Sequence, residues 1–241
     1  MKKTVLSLSF LLGVAPAFAG LQEGLDASEK NDWPTAIAEL TPVAKAGNPE
    51  AASVLGDHYR YADDEQAVKW SLVAAQHGDV KMQYEMGVRI DDIAWRLFRF
   101  NEQPAKRYFR TAADCFQMAA DQGYAPAQNA LGMMYEVGMK LPADVKKGVT
   151  LYRAAARQGY AQGLQNMAVM YQQGRGVRRS LSTAYTLYQA ALKYANGDRD
   201  VKDLSGLTSR ELERDLSAGE IQRAKAVADA WSPGMPLVGL E

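Results

Sequence analysis

Residues 127–135 read Ala127-Gln128-Asn129-Ala130-Leu131-Gly132-Met133-Met134-Tyr135, and they decide the fold because their pattern returns along the chain. A glycine, Gly123, leads this stretch, preceded by the small pair Ala119-Ala120; nine residues after it comes the small residue Gly132, and three further on Tyr135. The same offsets hold from Gly47, Gly78 and Gly159. Their small pairs are Val43-Ala44, Ala74-Ala75 and Ala155-Ala156, the small residues nine on are Gly56, Gly87 and Ala168, and Tyr59, Ile90 and Tyr171 follow. Eleven residues before the four glycines stand Ala36, Ala67, Ala112 and Gly148. Ala184 opens a further copy, in which Tyr188 matches Tyr152 thirty-six residues earlier. Self-similarity at such a period marks an array of stacked supersecondary units.

Each copy reads as two helices. The first runs from just after the leading glycine to the tyrosine position. Leu55, Met86, Leu131 or Met167 supplies its apolar burial, and the adjacent small residue admits a neighbouring backbone. The second carries Trp70, Phe116 or Tyr152, then the small pair, and stops at the next glycine, suited to a left-handed C-cap. Asp32, Asp63, Asp144 and Ser180 each stand four residues before an anchor position. Their side-chain oxygens can accept an orphan N–H of a first helical turn, which is N-cap chemistry. Units that cover their apolar faces only with neighbouring units form a solenoid.

Two stretches resemble the Sel-one-like repeat (SLR) family, relatives of the tetratricopeptide repeats. They are Ala127-Gln128 leading to Leu131-Gly132-Met133-Met134-Tyr135, and Gly174-Arg175-Gly176-Val177 before Leu187-Tyr188-Gln189-Ala190-Ala191. The resemblance covers roughly residues 33–195. It implies an all-α fold: a right-handed α/α superhelix of about five stacked helix pairs with a C-terminal helical cap. It implies protein–protein contact, and it does not imply catalysis.

The copies differ in one measurable place. From the tyrosine position to the next cap there are 4 residues in the first copy (59 to 63) and 9 in the last two (135 to 144 and 171 to 180). In the second copy the count is 18, from Ile90 to Tyr108, which is no cap at all. The first turn is therefore five residues short, and the second copy carries a nine-residue insertion.

The ends must close the apolar faces that a solenoid leaves open. Leu21 and Leu25 suggest a short helix pairing with one over 34–46. Thr208-x-x-Glu211 and Ser217-x-x-Glu220 are capping-box patterns, and Ile221, Ala224, Ala228 and Trp231 share one helical face before Pro233 and Pro236. Residues 20–197 are thus read as the solenoid and 198–241 as its C-terminal cap. Ahead of them, Lys2 and Lys3, the apolar stretch 5–14 and Ala17-Phe18-Ala19 make a three-part export signal, with cleavage expected after Ala19 and a periplasmic destination. Gly20 at the first mature position is not the cysteine of a lipoprotein anchor.

The 28 Lys and Arg balance the 28 Asp and Glu, so the chain lacks the basic footprint of a nucleic-acid binder. One cysteine excludes a disulfide scaffold. No His-Glu-x-x-His, Gly-x-Ser-x-Gly, phosphate-binding glycine loop or Cys-x-x-Cys occurs, so no catalytic residue, metal ligand or cofactor is expected. His58 and His77 read as helix-end residues, Cys115 as a buried thiol, and the methionines Met133, Met134, Met139, Met167 and Met170 as core filling or a soft docking surface. Met133 and Met134 cannot both face inward.

The insertion holds the residue types that repeats do not explain. Arg89, Trp95, Arg96, Phe98, Arg99, Phe100, Lys106 and Arg107, with Arg110, mix bulky aromatics and cations in a chain otherwise slightly acidic. Two readings stand side by side. In one, the aromatics fill space made by two lengthened helices, with the arginines solvated outside and Pro104 opening the second helix. In the other, the segment is a partner-binding site, since Trp, Phe and Arg are enriched at interfaces. The expected function is an exported, non-enzymatic module that binds a protein or peptide. An immunity protein against a toxic effector and a secreted virulence factor are the alternatives, and a cell-wall enzyme the rival from another class.

Overall fold

The computed structural model describes residues 15–138 and 141–237. The charged and apolar parts of the export signal, residues 2–14, and Met139 lie outside the described residues. Every regular element described is an α-helix. The helices are α1 (Ala15–Glu29), α2 (Trp33–Lys45), α3 (Pro49–Tyr59), α4 (Asp64–His77), α5 (Val80–Phe98) and α6 (Glu102–Asp121), followed by α7 (Ala125–Val137), α8 (Val145–Arg157), α9 (Ala161–Gln173), α10 (Leu181–Tyr194), α11 (Arg199–Leu212) and α12 (Ala218–Ala230). The first ten pack in consecutive pairs, α1 on α2 through α9 on α10. Each pair then packs on the next, which is the solenoid read from the repeats.

The local signals explain where most helices begin. Asp32, Asp63, Asp144 and Ser180 accept hydrogen bonds from the N–H groups of Thr35, Gln66, Lys147 and Thr183, as N-caps do. Gly47, Gly123 and Gly159 follow their helices at φ +92°, +83° and +78°. Gly78 departs from this, with φ −83°. There α4 runs on to His77, only Gly78 and Asp79 separate it from α5, and Asp79 caps α5 by accepting from the Met82 N–H. A left-handed residue is not needed in so short a link.

The buried side chains form two clusters, one ending at Met134 and the other starting at Val149. Between them α7 and α8 meet almost backbone to backbone. A Cβ built on Gly132 would lie 2.8 Å from the Tyr152 ring and 3.3 Å from the Gly148 carbonyl oxygen. The Tyr152 hydroxyl donates to Glu136 at 2.6 Å, and Tyr188, its counterpart in the next copy, donates to Gln172 at 2.8 Å. Burial and the Glu136 carboxylate together hold the Tyr152 phenol far above its ordinary range, so it stays a donor.

The C-terminal end differs from the pairs before it. Asp198 caps α11, accepting from the Val201 N–H, while Thr208 lies inside α11 and is buried; the Thr208-x-x-Glu211 pattern is not a helix start. The Ser217–Glu220 capping box is formed in both directions. Both α11 and α12 pack on α10. Ala224, Ala228 and Trp231 are buried there, and Ile221 packs partly buried at the edge. The tail then crosses back to α8: the Gly234 N–H donates to the Arg157 carbonyl at 2.8 Å, and Leu237 is buried.

Candidate functional site

The insertion is absorbed by lengthening both helices of the third pair. α5 has 19 residues against 13 in α7, and α6 has 20 against 13 in α8. At 1.5 Å per residue each helix gains ~10 Å, so a helical hairpin projects from the edge of the solenoid where the turns within pairs lie. Its joint is short. Leu97 accepts from the N–H groups of Phe100 and Asn101, both at 2.8 Å, and Asn101 stands at the N-cap of α6 without a side-chain cap bond. Pro104 is therefore the third residue of α6 and not the first.

The inner faces follow helical spacing. Ile90, Ile93 and Ala94 of α5 meet Ala105, Tyr108, Phe109 and Ala112 of α6 in the core. Trp95, Phe98 and Phe109 form an aromatic trio. The Trp95–Phe109 centroids are 5.3 Å apart, Trp95–Phe98 5.9 Å and Phe98–Phe109 6.1 Å, all edge-on or tilted. The space-filling reading thus accounts for Phe98 and part of Trp95.

The arginines divide into two sets. Arg89 has only 13% of its side chain exposed; it donates to the Ser53 carbonyl at 2.9 Å and faces Asp57 at 3.5 Å. Arg96 donates to the Arg60 carbonyl at 2.7 Å, pairs with Asp64, and lies 5.5 Å from the Tyr61 ring. Arg60 in turn pairs with Asp92 at 2.8 Å. These three guanidinium groups tie α5 to α3 and to the shortened turn 60–63. Lys106 pairs with Glu102 at 2.6 Å, and Arg107 lies over the Tyr108 ring at 5.0 Å. Arg99, Arg107 and Arg110 are exposed, and among the described residues no carboxylate pairs with them. The expectation of arginines solvated outside is therefore met by Arg99, Arg107 and Arg110, while Arg89 and Arg96 serve the fold.

Beside these arginines, aromatic side chains also stand at the surface. Phe100 is 85% exposed, Tyr61 76% and Trp95 40%. An open depression of about 400 Å³ is lined by Asp92, Trp95, Arg96, Arg99 and Phe100. Tyr61, Arg60, Asp64 and Asp92 escaped the sequence reading; their only signal was the shortened turn that holds Arg60 and Tyr61.

Arg96→Ala is expected to cost about 1 kcal/mol, because charge-assisted bonds at a half-exposed site keep part of their strength. Hydrogen exchange should show faster opening at 60–64 and 96–101 with the other pairs unchanged. Arg99→Ala should alter neither, and equal effects of the two substitutions would remove the distinction between them.

Other polar candidates resolve as parts of the packing. His58 stacks on Trp33 with centroids 4.1 Å apart, and His77 closes α4 against Gly47. Among the described residues no group of three or more His, Cys, Asp or Glu could hold a metal ion. Met134, Met167 and Met170 are buried, and Met133 is exposed. Cys115 is buried, and its thiol is pushed up to about 12, mainly by burial. It should therefore resist thiol reagents at pH 8 in the folded protein and react once denaturant is added; rapid labelling of the native chain would contradict this burial.

A family model of the Sel1 repeat matches residues 49–79, 99–124, 125–160 and 161–193, passing over 80–98, the whole of α5. No curated protein matches the chain. Among solved structures, a protective antigen of uropathogenic Escherichia coli displaying an SLR fold aligns with a TM-score of 0.63 and 22% identity, covering 88% of this chain and 44% of that one. This chain thus spans less than half of the antigen's length. A Sel1 repeat protein from Oxalobacter formigenes aligns with a TM-score of 0.52 and 23% identity, covering 88% of this chain and 87% of that one. With its helix pairs, their caps and glycine turns in place, and more than half of its residues matched by the repeat model, the chain belongs to the Sel1 repeat family.

Proposed function

We propose that this protein is exported, cleaved after Ala19, and acts in the periplasm as a non-enzymatic module that binds a protein partner through the hairpin of α5 and α6. Sel1 repeats generally mediate protein–protein interactions. The observation that carries the placement is the hairpin tip, where Phe100 stands 85% exposed beside Arg99 and the depression under Trp95. An exposed aromatic on a projection is costly to keep in water and useful as an anchor in a contact. Export is supported by Lys2, Lys3, the apolar stretch 5–14 and Ala17-Phe18-Ala19. Among the described residues no helix is long and apolar enough to cross a membrane.

The test has two arms. N-terminal sequencing of the periplasmic protein should read from Gly20, and a chain that keeps residues 1–19 would reject the export assignment. A photo-crosslinking residue placed at Phe100 should form a protein adduct that disappears in the Arg99→Glu variant. Adducts from position 133 but none from position 100 would move the contact to the first helices of the pairs.

A further inference from the structure

We infer that the partner segment received by the hairpin tip is acidic and carries one large apolar side chain; this rests on the tip being the protein-binding site. The charges around the tip do not cancel. Asp64 is taken by Arg96, Asp92 by Arg60 and Glu102 by Lys106, while Asp63 caps α4. Arg99, Arg107 and Arg110 form no ion pair with a described carboxylate. Residues 89–110 carry six cations against three acids in a chain whose total charge is zero, and three of those cations stand outside any ion pair among the described residues. Guanidinium groups so placed favour carboxylates, to which they can offer two parallel N–H donors.

The second element of the surface is shape. Phe100 and Trp95, with Arg96, Arg99 and Asp92, line an open depression of about 400 Å³. The aromatic walls suit an apolar side chain, and the rim carries Arg99. Its one acid, Asp92, is already paired with Arg60 at 2.8 Å. A flat anionic bilayer would satisfy the arginines and leave the depression unfilled. A chain segment with carboxylates on either side of a large apolar residue fills both. Specificity then comes from charge that steers the approach and an apolar anchor that holds it.

Three fluorescein-labelled peptides of equal length test this by fluorescence polarisation with the folded protein. One has a central Phe flanked by Glu and Asp, the second has Ser in place of the Phe, and the third has Lys in place of the acids. The first should bind, more weakly as salt rises from about 50 to 200 mM, and the other two at least ~10-fold more weakly. Arg99→Glu and Phe100→Ser should each lower its affinity ~10-fold or more, with circular dichroism and melting unchanged. Arg178→Glu, an exposed arginine on another turn, should have no effect. Equal binding of the Lys peptide, full binding by both tip variants, or no binding of any peptide would overturn the inference. So would co-sedimentation with phosphatidylglycerol–phosphatidylethanolamine vesicles in place of peptide binding, which would make the tip a lipid contact. Crosslinking at Phe100 to a protein segment without acids would overturn the acidic partner alone, whereas the lack of any protein adduct would also remove the binding site.

Discussion

Gly132→Leu is expected to destabilise the protein by about 3 kcal/mol, at the upper end of what overpacking costs. The added side chain has nowhere to go. Its Cβ would sit 2.8 Å from the Tyr152 ring, which is fully buried and fixed by its bond to Glu136. On the other side it would meet the Gly148 backbone oxygen at 3.3 Å. Replacing glycine within a helix returns about 1 kcal/mol of propensity, which offsets only part of the clash. A melting point lower by about 10 °C follows for a chain of this size. Gly132→Ala should fall by less, because one carbon asks for less movement. Scanning calorimetry of the pair provides the check: an unchanged midpoint in the leucine variant would mean that α7 and α8 do not approach closely.

Removing residues 218–241 is expected to be more damaging still. α12 and the tail bury Ala224, Ala228, Trp231 and Leu237 against α10. The Trp231 ring lies edge-on to Tyr194 at 5.4 Å, and Lys193 donates to the carbonyls of Asp229 and Trp231. Losing the burial that one tryptophan, one leucine and the alanine face make against α10 removes about 5 kcal/mol, an upper figure because unfolded chains are partly compact. That is comparable with the whole stability of many domains. Because contacts in a solenoid run between neighbours, the loss should be local. Exchange protection should collapse in α9 and α10 and persist in α3 to α6, and an apolar dye should bind the truncated protein. Truncated protein that melts cooperatively at the original temperature would show that α12 caps nothing.

The parts of the fold legible in the sequence were those fixed by chemistry within a few residues. Asp63 and Ser180 advertise a cap because the N–H groups they satisfy lie three residues ahead. Gly132 advertises a close approach because the same small position recurs from copy to copy. Where the deciding partner lay farther away, the reading stopped. Thr208 shows the capping pattern yet sits in the middle of α11, since the pattern alone does not say where the preceding turn ends. Arg96 and Arg99 look alike in sequence, three residues apart in one basic and aromatic run. Arg96 meets Asp64, thirty-two residues earlier, and Arg99 meets no described acid. The lengths of α5 and α6 could be counted from the insertion, but the split of the arginines between brace and surface required the turn 60–63 to be seen beside them. Asn101, which starts α6, was hidden because its side chain makes no cap bond.

The backward fold of α12 onto α10 also constrains how this gene could have grown. Repeat arrays lengthen when a unit is duplicated in tandem, and each new unit needs a free face on the unit before it. Downstream of α10 that face is occupied by α11 and α12 together, and the tail is fastened further back, at Arg157. A copy inserted after residue 194 would have to displace both helices and cut that fastening in a single event. A copy inserted between α6 and α9 would find matching faces on either side. Length differences among descendants of this chain should therefore accumulate between α6 and α9, while α11 and α12 travel together as one inherited unit.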